Sequence, residues 1–176
     1  MTKLSHYDVI VVGGGTAGCA AAYIAGISGL TVLLVEKNIH LGGSITSGLV
    51  IPAMSSAERQ INTEFFDALV SELSVLKGQT TYMGNPGWFN PELCKIALDR
   101  LMLKANVEVL FDTIAMGVNI AGKELKGLTL SSNILSVYIG ANNVVDASGN
   151  CEIGVLSECE FLDENDSKNN FQPVSL

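Results

Sequence analysis

Apolar positions come first in short runs, then at helical spacing, then in alternation. Asp8 to Val12 reads Asp-Val-Ile-Val-Val, and Thr31 to Val35 reads Thr-Val-Leu-Leu-Val. Runs of this length, rich in β-branched residues and bounded by glycine, predict strands buried on both faces. Between them, Thr16 to Ser28 carries Ala17, Ala20, Ala21, Ala22 and Ala25, a helix with small residues that can lie close on a sheet. Gly29 suits its end, because glycine tolerates the left-handed conformation of a helix C-terminus. A second helix is expected from Ser55 to about Lys77: Ser55 and Glu58 have capping-box spacing, Ile61, Phe65, Leu69, Leu73 and Leu76 fall near one face, and Gly78 stops it. Gln79 to Phe89, with Gly84, Pro86, Gly87 and Trp88, reads as loop. Asn90 and Pro91 then open a third helix as cap and first helical position, with Leu93, Ile96, Ala97 and Leu101 as its buried face and Asn106 as its end.

The second half changes period. Val107 to Phe111 reads as a strand, followed by Thr113 to Ile120, Lys126 to Leu130 and Leu135 to Ile139, separated by Ala121-Gly122-Lys123 and Ser131-Ser132-Asn133. That is a meander of antiparallel strands. Val144-Val145-Asp146 is a further strand running into Ala147-Ser148-Gly149-Asn150, and from Phe161 onwards the chain turns polar, which predicts poor order.

The first apolar run ends in Gly13-Gly14-Gly15-Thr16-Ala17-Gly18, so Gly13, Gly15 and Gly18 fit G-x-G-x-x-G. Each has a physical reason: the tight turn at Gly13, close approach of a pyrophosphate at Gly15, helix-to-strand packing at Gly18. The free N–H groups at the helix start, near Thr16 and Ala17, favour a phosphate. Glu36 ends the second strand, eighteen residues after Gly18. Its carboxylate can accept both hydroxyls of an adenosine ribose and would repel a 2′-phosphate, which disfavours NADP. Strand, glycine turn, helix, strand and terminal acid in this order predict a dinucleotide site. The bland alternative is a glycine-rich turn beside a solvated surface acid. Gly42-Gly43-Ser44 is a second place where a ligand can approach backbone, although taken in isolation it reads first as a flexible connector. The expected fold class is α/β: a Rossmann-like parallel sheet with helices on the faces and an inserted antiparallel β-meander.

Composition narrows the classes. At 176 residues, 48% hydrophobic with 18 glycines, one α/β domain with a sizeable core is the natural expectation. A net charge of −8 argues against a nucleic-acid partner, since phosphate backbones need a basic face. Cys19, Cys94, Cys151 and Cys159 form no C-x-x-C and no zinc spacing with His6 or His40, so no metal site is expected. Free thiols suit a reducing cytoplasm, no signal peptide opens the chain, and no run reaches the length of a membrane span. Cys19 is expected to be a small core residue, and His40 a surface histidine.

Gly13 to Gly18, Glu36-Lys37, Leu41-Gly42-Gly43 and Val145-Asp146-Ala147-Ser148-Gly149 together resemble FAD-dependent oxidoreductases with the glutathione-reductase-type flavin fold, and more narrowly a large bacterial group of FAD-dependent oxidoreductases. The resemblance implies FAD as cofactor. It places the pyrophosphate on Gly13, Gly15 and Gly18 with Thr16 and Ala17, the adenosine ribose at Glu36 with Lys37 beside it, and the ribityl side at Gly42, Gly43 and Ser44. It places adenine against the backbone of Val109 or Val107, and the diphosphate half beside Ala147, Ser148 and Gly149. Such proteins usually have Thr and Asp around that last glycine. Here Ser148 keeps the hydroxyl, Asn150 lacks the charge, and Glu152 is the available substitute. Such proteins also continue well beyond this length. The expectation is therefore an FAD-binding domain over 1–160 and the start of a substrate domain over 161–176, an N-terminal portion completed elsewhere.

Three functions stay open on the sequence: the FAD-binding portion of a flavin-dependent oxidoreductase that passes hydride through flavin N5, an NAD-binding dehydrogenase domain, and a catalytically inactive truncated remnant. No catalytic acid or base is assigned. The expected partners are a small-molecule substrate if the enzyme is complete and, where apolar surface is left uncovered, a second copy or a partner chain. No nucleic acid and no membrane is expected.

Overall fold

The computed structural model of the chain describes residues 5–51, 63–82, 85–133 and 136–161. The element order is β1 (His6–Val12), α1 (Thr16–Ile27), β2 (Val32–Val35), a single 3-10 turn (Gly43–Ile45), α2 (Thr63–Val75), β3 (Gln79–Tyr82), β4 (Asn85–Phe89), α3 (Pro91–Lys104), β5 (Glu108–Leu110), β6 (Thr113–Ala121), β7 (Glu124–Ser132), β8 (Ser136–Asp146) and α4 (Glu152–Leu156). Among these helices none is long and apolar enough to cross a membrane. The Ser55–Glu58 capping box, Gly84, Leu135 and most of the polar tail lie outside the described residues.

Six strands form one sheet in the order β5-β2-β1-β8-β7-β6. The first four are mutually parallel, with Val12 opposite Val35 on one side and Asp146 on the other. Their alternation sorts the side chains into two cores, as a period of two requires. Val9, Val11, Val32 and Leu34 face α1, α2 and α3. Ile10, Val12, Leu33 and Val35 meet Leu128, Leu130, Ile139 and Ala141 of the meander, together with Ile153 of α4. The three longer helices therefore share one face, while the meander and the short α4 cover the other. This sharpens the sequence expectation of helices on the faces.

β8 joins the two halves. Its first part pairs antiparallel with β7, from Ser136 opposite Ser131 to Gly140 opposite Gly127. From Gly140 onward it pairs parallel with β1. The sequence reads two strands here, split at Gly140 to Asn143, but the chain stays extended. Gly140 sits where three strands meet, and a Cβ there would lie 2.4 Å from the His6 ring.

Three local readings change. Gln79–Tyr82 and Asn85–Phe89, read as loop, are antiparallel strands, with Gln79 opposite Phe89. The helix before it ends on a left-handed Lys77 (φ 54°). Gly78 follows it and packs so closely on α3 that a Cβ would meet Leu93 Cβ at 2.9 Å. The buried stripe of α3 is Cys94, Ala97, Leu98, Leu101 and Met102, rotated from the expected one, so Ile96 is 44% exposed. The Asn90 cap forms as expected: its Oδ1 accepts from Glu92 N at 2.9 Å and Leu93 N at 3.2 Å.

Candidate functional site

The parallel strands end together at one edge, and three turns leave them there. The first is the glycine turn between β1 and α1. Gly13 takes a positive φ of 101° that only glycine adopts cheaply. A Cβ on it would lie 2.3 Å from Ala147 O. A Cβ on Gly18 would lie 1.8 Å from Gly13 O, so α1 presses directly on the turn. Gly15, the N-cap of α1, has nothing within 4 Å of a Cβ. Two of the three fingerprint glycines are thus held by packing, and the third faces open space at a helix N-terminus, where unpaired N–H groups favour an anion.

The second turn follows β2. Glu36 is 5% exposed, and its carboxylate accepts three hydrogen bonds from within the protein. Oε2 accepts the N–H of Gly14 at 2.6 Å, while Oε1 accepts both the backbone N–H and the side-chain Nδ2 of Asn38 at 2.7 Å each. The backbone is fixed as well: Glu36 N donates to Leu110 O at 2.9 Å and Thr113 N donates to Glu36 O at 3.1 Å. The chain then returns to the first turn, where Gly42 N donates to Gly14 O at 2.8 Å and Gly43 approaches Gly15 so closely that a Cβ would meet its Cα at 3.0 Å. Thr46, buried, donates its hydroxyl to Leu41 O at 2.7 Å and locks this loop.

The third turn follows β8. Asp146 Oδ1 accepts the Ser148 N–H at 3.1 Å and the Ser148 hydroxyl at 2.7 Å, and Oδ2 accepts the N–H groups of Ile153 at 2.8 Å and Gly154 at 3.1 Å. Ser148 Oγ in turn accepts from Glu152 N at 3.0 Å. Burial raises the pKa of Asp146, but these hydrogen bonds, that from the Ser148 hydroxyl foremost, outweigh it and hold the carboxyl below its usual range.

These turns enclose a cleft of about 460 Å³, within the range of small-molecule sites. Eleven of the residues expected at the site line it: Gly13, Gly15, Thr16, Ala17, Glu36, Lys37, Gly43, Ser44, Ala147, Ser148 and Gly149. Gly18 and Gly42 lie behind this lining as packing and turn positions. Val109 is placed elsewhere: it pairs with Leu34 in β5 and packs against the helix-side core. The wall beyond Glu36 is instead Thr113, Ile114 and Ala115, at the start of β6. Asn38 and Glu152 also line the cleft, and Glu152 Oε1 stands 4.0 Å from Lys37 Nζ across it. The sequence offered no local signal for the β6 wall, because only the folding of the meander onto the sheet brings it there.

Other candidate chemistry stays away from the cleft. His40 is half-buried rather than a surface residue, its Nε2 3.4 Å from Ser47 Oγ. Cys19 is fully buried, its thiol donating to Gly14 O at 3.2 Å, and burial pushes its pKa up to about 12. Among the described residues no group of His, Cys, Asp and Glu is placed to hold a metal ion.

A dinucleotide fits these features: an open backbone position at a helix N-terminus for a pyrophosphate, and a buried acid one turn away for a ribose. Comparison with known proteins agrees. The family model described as FAD dependent oxidoreductase matches residues 8–176. A vinyl phenol reductase of Lactiplantibacillus plantarum is 40% identical over 80 residues, which is 44% of this chain and 16% of that protein. A cinnamate reductase of Clostridium sporogenes is 40% identical over 67 residues, 38% of this chain and 10% of that protein. The chain thus spans less than a fifth of these relatives' length. A geranylgeranyl bacteriochlorophyll reductase-like protein from Thermoplasma acidophilum superposes with a TM-score of 0.66 at 26% identity, covering 91% of this chain and 44% of that one. With the family model spanning nearly the whole sequence, the chain belongs to the FAD dependent oxidoreductase family and FAD is its cofactor.

Proposed function

We propose that residues 1–160 hold the adenosine diphosphate half of FAD for an oxidoreductase that passes hydride through flavin N5. The observation that supports this most is the meeting of three glycine-bearing turns on one cleft, with the only uncrowded fingerprint glycine, Gly15, facing it. The N–H groups at the start of α1 would bind the pyrophosphate, with Ser44 and Ser148 flanking it. Glu36 would take the ribose. Thr113 to Ala115, tied to Glu36 through the Thr113 N–H, would form the wall for adenine, the role that the family resemblance assigns to the backbone of Val109 or Val107. FAD supplies a two-electron carrier, and the protein supplies position and electrostatics.

The proposal gives the complete enzyme a small-molecule substrate and a cytoplasmic setting. The acidic net charge speaks against nucleic acid. The family match favours flavin over the nicotinamide alternative.

The test is a titration of the purified protein with FAD, followed by flavin fluorescence, with ADP as competitor. Binding that ADP displaces supports the reading. FAD binding untouched by saturating ADP would mean that the adenosine half lies elsewhere, and NAD binding without FAD would favour the dehydrogenase alternative.

A further inference from the structure

We infer that Asn38 restricts Glu36 to reading a single hydroxyl of the ribose, and so acts as a positioning residue for nucleotide recognition. The inference rests on the flavin reading above and concerns how that site discriminates. A carboxylate has about four acceptor positions, two on each oxygen. On Glu36, Oε1 accepts from both Asn38 N and Asn38 Nδ2, each at 2.7 Å. Both of its positions are taken by one neighbouring residue. Oε2 accepts a single donor, Gly14 N at 2.6 Å. One acceptor position is therefore open on Glu36, and it lies on the oxygen that also holds the glycine turn.

Asn38 is itself fixed. Its carbonyl accepts from Asp112 N at 3.2 Å, and the β5–β6 corner holds the backbone of Glu36 on either side through Leu110 and Thr113. Both Asn38 and Glu36 line the cleft. The carboxylate cannot turn to offer Oε1 without breaking two hydrogen bonds to Asn38 and the one to Gly14. A bidentate grip on both ribose hydroxyls, expected from the sequence, is thereby reduced to one hydrogen bond.

Calorimetric titration with ADP, 2′-deoxy-ADP and 3′-deoxy-ADP tests this. In the native protein one deoxy analogue is expected to bind about tenfold or more weakly than ADP, the loss of one hydrogen bond to a charged group, and the other within about twofold. In Asn38→Ala an acceptor position on Oε1 is freed, and the tolerated analogue acquires a penalty too. Urea unfolding of the same variant shows whether it is folded. Equal penalties for both analogues in the native protein would overturn the single-hydroxyl reading. An unchanged pattern in folded Asn38→Ala would overturn the role of Asn38. Failure of both ADP and FAD to bind native protein would overturn the flavin reading, and this inference with it.

Discussion

Glu36 Oε2 accepts the backbone N–H of Gly14 at 2.6 Å, so the acid that ends β2 also braces the glycine turn that ends β1. A buried N–H left without a partner costs about 1–3 kcal/mol. Glu36→Ala is therefore expected to lower unfolding free energy by about that amount and to weaken FAD as well. Glu36→Gln keeps a carbonyl oxygen and is expected to lose less stability. It still weakens FAD, because the charged acceptor is gone. Urea unfolding together with FAD titration separates the two effects. Unchanged stability and affinity in Glu36→Ala would mean that the acid serves neither.

Gly15 and Gly18 make a sharper pair. At Gly15 an added Cβ meets nothing within 4 Å and φ is −69°, so Gly15→Ala is expected to fold as the parent does. Its methyl group then stands where the pyrophosphate approaches, and FAD affinity should fall by an order of magnitude or more, that is at least about 1.4 kcal/mol. At Gly18 the Cβ would lie 1.8 Å from Gly13 O, a backbone atom that cannot swing aside. Gly18→Ala is expected to lose about 1–3 kcal/mol of stability, even though alanine is the better helix former. Equal behaviour of the two variants in melting and FAD titration would contradict this division of roles.

The thiols should divide in the same structural way. Cys19 and Cys94 are buried, and burial pushes both pKa values up to about 12. The thiolate is the reactive form, so these two should be inert in the native state. Cys151 and Cys159 are exposed. A chromogenic disulfide reagent is expected to label two thiols quickly in native protein and the remaining two only on unfolding. Four rapid thiols would show that the Cys19–Gly14 packing behind the turn is not as described.

The first half of the site was legible in the sequence because its signals are local. β1, the glycine turn, α1 and β2 run consecutively, each with its own pattern, and Asn90 caps α3 through its nearest neighbours. The rest depends on pairings between distant residues. β8 reads as two strands because Gly140 to Asn143 interrupts the apolar run, yet Gly140 is bonded into the sheet from both sides. β4 carries Pro86 and Gly87, residues that read as loop. Val109 lies within β5, and the cleft wall falls to Thr113, Ile114 and Ala115 of β6. The five-residue α4 is too short to show a period, and its cap is a distant side chain, that of Asp146.

That cap gives the protein a pH dependence with a definite sign. Asp146 holds Ser148 with one oxygen and the first turn of α4 with the other, and its folded pKa lies below its usual value. A group depressed in the folded state contributes stability at pH above its unfolded value, about 3.9 for Asp, and loses it as the pH falls through the lower folded value. The contribution should therefore be whole at neutral pH and fade only in the acid range below about 4. Asp146→Ala removes every one of these acceptors. Loss of a helix cap costs about 0.5–2 kcal/mol, and the partial exposure of the carboxylate argues for the lower half of that range. Unfolding curves of parent and variant should be separated at pH 7 and converge under acid. The same variant should bind FAD more weakly, because the Ala147 to Gly149 wall loses its anchor. Curves that keep a constant separation down to the acid limit would show that the carboxylate charge has no part in holding this wall.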